Sequence, residues 1–122
     1  MELKLHLNIL KNSKALNIDN ENISWPKVID KIDEESNEVK NAILDYYCGE
    51  GKRLLLLKEI IRECFDLIQV CILVLFKCNT HANTLDEANL IQDVNKEHLN
   101  KLSIRGWTSL ANIEIEVKEV TK

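Results

Sequence analysis

Glycine and proline are scarce in this chain, three and one in 122 residues. So few turn formers exclude a turn-rich β architecture and favour long helices. Long apolar runs are missing as well. The most apolar stretch, Leu67 to Phe76, is interrupted by Gln69 and flanked by Asp66 and Lys77, well short of the roughly 20 residues a bilayer-spanning helix needs. Met1-Glu2-Leu3-Lys4 runs into alternation rather than an apolar run, so no signal peptide is expected. Positive charge is in deficit, with 16 Lys and Arg against 20 Asp and Glu and a net charge of −4. That argues against nucleic-acid binding, which needs a basic surface, but not against small anionic ligands, since a metal inverts the local sign. Cys-x-x-Cys pairs are absent. Cys64, Cys71 and Cys78 are seven apart, share a helical stripe and cannot bridge one another locally. With Cys48 they are expected to be reduced, small core residues. The expectation is a cytoplasmic protein that engages neither membrane nor nucleic acid.

What is present is 45% hydrophobic and 30% charged, a globular balance with room for one domain spanning 1–122. Residues 2–9 alternate polar and apolar as a strand does, while Leu3, Leu7 and Leu10 fit a helical stripe equally. Residues 11–23 are rich in Asn, Lys and Asp and read as a polar connection. A helix is predicted from Ser24, its N-cap, through Pro26 to about residue 47. Its stripe is Val28, Ile29, Ile32, Val39, Ile43 and Tyr46, with Glu35 inside the stripe and Glu34 and Glu38 at its border. Gly49 and Gly51 supply a turn. A second helix is predicted from about Lys52 to Cys78, apolar nearly all round in its second half and therefore the most buried element. Asn79 to Asn83 reads as a loop. Thr84-x-x-Glu87 matches a capping box for a third helix carrying Ala88, Ile91, Val94, Leu99 and Leu102, ending near Arg105 with Gly106 as its stop. The tail, 113–118, alternates again, either as a strand paired with the N-terminal stretch or as an exposed amphipathic segment. The fold class expected is all-α, an antiparallel bundle of three main helices with short terminal strands left open. Three helices are too few to cover the central one, so a partner subunit is expected to supply the fourth wall.

Chemistry concentrates in two acidic runs on successive helices. Residues three apart share a helix face, about 5–6 Å between Cβ atoms. Glu35 and Glu38 can therefore converge, and so can Glu63 and Asp66. Four carboxylates make an all-oxygen site suited to Mg²⁺ or Mn²⁺. A di-iron bundle needs Glu-x-x-His, which neither run has, and no Cys/His cluster favours zinc. Glu34 and Glu59 fit solvated pairing better than ligation, Glu34 with a lysine such as Lys31 and Glu59 with Arg62 or Lys58.

Glu35-Ser36-Asn37-Glu38 and Glu63-Cys64-Phe65-Asp66, with Lys31-Ile32-Asp33-Glu34 before the first pair and Leu67-Ile68 after the second, resemble the signature of the MazG-like all-α nucleoside triphosphate pyrophosphohydrolases. The similarity covers about residues 24–106 and leaves 1–23 and 107–122 peripheral. It implies a dimeric or tetrameric helical bundle that holds Mg²⁺ on those four carboxylates and cleaves a nucleoside triphosphate to monophosphate and pyrophosphate, with Glu34 or Glu59 as the carboxylate that takes the proton of the attacking water. It also implies basic residues of the last helix at the β and γ phosphates, here Lys101 and Arg105 at i,i+4, with Lys96 and Lys52-Arg53 as lesser candidates. The competing role of Lys101 and Arg105 is to favour the helix dipole. Base recognition is not assigned. Trp25, Tyr46, Tyr47 and Trp107 are the aromatics able to stack, with Trp25 read rather as a packing anchor and Trp107 as a cover over the core. Two alternatives stand beside this reading: a non-catalytic helical interaction module, and a phosphoribosyl-ATP pyrophosphohydrolase.

Overall fold

The computed structural model describes residues 2–49 and 51–120. In chain order the elements are β1 (Asn12–Ser13), β2 (Ile18–Asp19), α1 (Trp25–Cys48), α2 (Arg53–Thr84) and α3 (Leu90–Ile104). The fold is all-α with three helices, as expected. The chain divides into two compact units, Met1–Ala88 and Asn89–Lys122. The first carries the small hairpin, α1 and α2, and the second carries α3.

α1 begins where the capping signal lies. Ser24 is extended, and its Oγ accepts from the Lys27 backbone N–H at 3.4 Å. Pro26 sits in the first turn, where a missing N–H breaks no intrahelical bond. The helix stops at Gly49, whose φ of +74° is a left-handed conformation that a side chain resists. Arg53 then closes the turn. Its guanidinium donates to the Tyr46 carbonyl at 2.8 Å and lies 3.8 Å from the centre of the Tyr46 ring. This assigns Arg53 to the turn.

α2 runs to Thr84, through the stretch 79–83 expected to be a loop. The reason is local. The Thr80 hydroxyl donates to the Phe76 carbonyl at 3.2 Å and the Thr84 hydroxyl to the His81 carbonyl at 2.6 Å, so these polar side chains bond within the helix instead of competing with it. Ala82 is buried, and the Trp25 ring stands 5.6 Å from the His81 ring. The true stop is a Schellman arrangement, with the Glu87 N–H on the Ala82 carbonyl and the Asp86 N–H on that of Asn83. Asp86 occupies the left-handed position (φ +59°) that glycine usually marks. The capping-box expectation at Thr84 therefore fails, and α3 starts later, after Asn89. Its end matches expectation: Gly106 is left-handed at φ +79°, with the Trp107 N–H on the Leu102 carbonyl.

α1 and α2 pack antiparallel, and their register is readable from facing pairs. Val28 packs with Leu73, joined by Ile23 and flanked by Ile32 and Val74. Seven residues further along α1 is Glu35, and seven back along α2 is Asp66. Lys77 secures this end, donating to the Ile23 carbonyl at 2.6 Å and lying over the Trp25 ring.

Several expectations are corrected. α2 is the most covered of the three helices, as expected, but only Leu73 and Ala82 on it are buried, whereas Leu54, Leu55, Leu57, Ile61 and Leu75 are exposed. α1 covers one side of α2 and leaves the rest of its apolar surface open. Ile29 and Ile43 are exposed too, so the buried stripe of α1 is narrower than its hydrophobic pattern. Cys48 and Cys71 are exposed and Cys64 and Cys78 half-buried, all four free, so they are not core residues. Residues 2–10 and 107–120 form no strand. Alternation marks a strand only where another strand pairs with it. The pairing occurs instead in the polar 11–23 stretch, Asn12 with Asp19 and Ser13 with Ile18. Its tight turn has Asn17 at φ +53°, and Ser13 Oγ accepts from the Leu16 N–H at 3.2 Å.

Candidate metal centre

The antiparallel register does for the acidic pairs what helical spacing alone cannot. Spacing puts Glu35 beside Glu38 on α1 and Glu63 beside Asp66 on α2. Packing then brings Glu38 opposite Glu63 and Glu35 opposite Asp66. One oxygen from each of the four lies within 4.8 Å of the others. All four residues singled out as metal ligands are thus brought together.

The electrostatics are those of crowded carboxylates. Burial raises the Glu35 pKa to about 7, reinforced by a hydrogen bond with Glu38 and by the charges of Glu38, Asp66 and Glu34. Glu63 is also raised to about 7, first by a hydrogen bond with Glu59, then by one with Glu38 and by burial. Glu35 Oε2 and Glu63 Oε2 are inaccessible to solvent, and no N–H or hydroxyl donor reaches them. Among the described residues none of the four forms an ion pair. Buried oxygens of this kind require a proton or a cation. An all-oxygen, carboxylate-only set fits a hard divalent ion such as Mg²⁺ or Mn²⁺.

Glu59 pairs with Arg62, 3.3 Å from Nη1 to Oε2 on the exposed side of α2, which is the pairing expected from its spacing. Its carboxylate nevertheless reaches Glu63. Glu34 is exposed and adds only its charge to the group. Lys96 and Lys101 lie on α3 and Arg105 caps its C-terminus, all three exposed. They belong to the second unit.

Beside the carboxylates lies a cavity of about 430 Å³ that Glu35 and Asp66 help to line. Its other wall is the β1–β2 hairpin and the chain around it. Lys31, one turn before Glu35 on α1, also lines it. Sequence reasoning missed this cavity. The i,i+4 spacing of Lys31 to Glu35 was the available signal, whereas the hairpin sits in a stretch read as a mere connection. None of the four aromatic residues proposed for base stacking lines it. Trp25 packs with His81 and Lys77, Tyr46 with Arg53, and Tyr47 is exposed. Trp107 is 70% exposed, so it is no cover over a core.

No family model, no curated protein and no solved structure matches the chain. Among the described residues no helix is long and apolar enough to cross a membrane.

Proposed function

We propose that this protein is a Mg²⁺-dependent nucleoside triphosphate pyrophosphohydrolase that limits a cytoplasmic nucleotide pool. The observation that carries the reading is the convergence of Glu35, Glu38, Glu63 and Asp66 within 4.8 Å, with buried oxygens of Glu35 and Glu63 unpaired. The resemblance of the two acidic motifs to the MazG-like signature supports the same chemistry.

Bound on these carboxylates, Mg²⁺ would neutralise the triphosphate and acidify a water. The chain's own groups do the rest. Water adds to the α-phosphorus, the bond from that phosphorus to the bridging oxygen breaks, and pyrophosphate departs with the bond's electron pair. The water's proton passes to a carboxylate. Glu59 is the stronger candidate for that acceptor, since its side chain reaches Glu63, and Glu34 is the weaker, being in contact only through charge. Lys101, Arg105 and Lys96 are assigned to the β and γ phosphates on the strength of the resemblance.

The test is pyrophosphate release from each ribo- and deoxyribonucleoside triphosphate with Mg²⁺. Release from at least one, abolished in Glu38→Ala and Asp66→Ala, is expected. Release from none, with both variants binding Mg²⁺ as the parent chain does, overturns the reading.

The exposed apolar residues of α2 favour a second element of the proposal. Leu54, Leu55, Leu57 and Ile61 crowd its first half, and uncovered apolar surface on this scale marks an association face. The active form is a homodimer or homotetramer in which a second copy covers α2. Light scattering after size exclusion is expected to show at least two chains, and a stable monomer would overturn this element.

A further inference from the structure

We propose that the cavity between the β1–β2 hairpin and the α1–α2 pair is the nucleoside subsite, with Asn20 reading an N–H donor on the edge of the base. This rests on the pyrophosphohydrolase reading and adds to it the part of the substrate that the carboxylates do not touch.

Three observations carry it. The first is continuity: Glu35 and Asp66 belong both to the carboxylate group and to the cavity lining. A triphosphate bound at the carboxylates has its sugar and base directed to a neighbouring space, and this cavity shares two residues with that point. The second is size and character. About 430 Å³ falls within the range of small-molecule pockets, roughly 300–1,000 Å³. Leu10, Leu16 and Ile18 supply apolar surface for the flat face of a base, and Lys31 supplies one positive charge near the carboxylate end.

The third is an unused acceptor. Asn20 lines the cavity, and its Nδ2 donates to the Leu10 carbonyl at 3.2 Å. A carbonyl accepts only, so that bond fixes which end of the amide is nitrogen. The other end, Oδ1, is buried and has no hydrogen-bond partner. Left unmet, a buried acceptor costs free energy, and a ligand N–H that it meets as the Asn20 side chain turns toward the cavity relieves that cost. A site built this way rejects analogues that lack the donor or present an acceptor in its place. With aliphatic rather than aromatic cover, base preference comes from edge hydrogen bonding and fit.

The hairpin explains why the subsite belongs to this chain's own N-terminal stretch. Ser13 and Asn17 set its turn, and the Asn20 backbone N–H bonds to the Lys11 carbonyl at 2.9 Å. The Gln69 side-chain amide also donates to the Asn8 carbonyl, tying the preceding segment to α2. The hairpin is therefore closed on itself, and the segment leading into it is tied to α2.

The experiment compares kcat/KM over the four ribo- and four deoxyribonucleoside triphosphates for the parent chain, Asn20→Ala and Leu16→Trp, with Mg²⁺ binding measured on each. Leu16 is 71% exposed, so a tryptophan there crowds the cavity without replacing a core residue, and it serves if Asn20→Ala unfolds. The expected result is a clear preference in the parent chain and a fall of at least about tenfold in the ratio of best to worst substrate in both variants. A parent chain without preference, or variants that keep its ratio, overturns the subsite alone. Hydrolysis of no triphosphate overturns the pyrophosphohydrolase reading, and the subsite falls with it.

Discussion

The carboxylates of Glu38 and Glu63 meet across the contact between α1 and α2, an oxygen of each within 4.8 Å of the other. Two acids in that relation cannot both ionise freely without a cation between them. The predictions for the site start from that constraint.

Metal-free stability should depend on pH in a defined direction. Glu35 and Glu63 each have a folded pKa of about 7, against about 4.3 in an unfolded chain. Between those values the folded state keeps protons that the unfolded state has released, so their contribution to stability is full below about pH 4 and is lost as pH rises to about 7. Thermal melts in EDTA should show Glu63→Gln gaining on the parent chain as pH rises from 4.5 to 7, with no further gain above.

Saturating Mg²⁺ at pH 7.5 should reverse that order. The parent chain gains stability by mass action, and Glu63→Gln, short of a ligand, gains less. A non-catalytic interaction module predicts instead that the variant stays the more stable one with and without Mg²⁺. The same pair of melts separates the two.

Loss of a ligand should cost more than loss of a phosphate contact. Asp66→Asn is expected to lower kcat/KM by about 100-fold or more, beyond what removing an outer partner of a metal ligand costs. Lys101→Ala or Arg105→Ala should raise KM several-fold and leave Mg²⁺ binding unaltered. Steady-state pyrophosphate release and titration calorimetry provide the two measurements.

Ser24→Ala should remove the cap of α1 at a cost of about 1 kcal/mol, read as a lower urea midpoint at unchanged m-value. Mg²⁺ affinity should change little, because the cap lies more than two helical turns from Glu35.

Local chemistry made much of this legible in the sequence, and long-range pairing hid the rest. Ser24 and Gly49 bound α1 because caps act within a few residues. The four carboxylates were readable because helical spacing and core-facing position are both local patterns. The end of α2 was not, since Asp86 rather than a glycine takes the left-handed position, and Thr80 and Thr84 bond within the helix they were expected to break. The hairpin was hidden in a polar stretch because its strands are two residues each, too short for alternation to register. Residues 2–9 and 113–118 alternate without a partner strand, and periodicity carries no information about pairing.

The packing of α2 on α1 also works as a phase setter. Both acidic pairs owe their meeting to the Val28–Leu73 contact seven residues away on each helix, and one residue added to α2 between Asp66 and Leu73 would turn the Glu63 and Asp66 pair by about 100° away from its counterpart. Each helix would keep its own pair intact, but the two pairs would no longer face each other. The centre therefore behaves as a vernier read between the two helices, and its function can be lost by a one-residue insertion that alters none of its ligands.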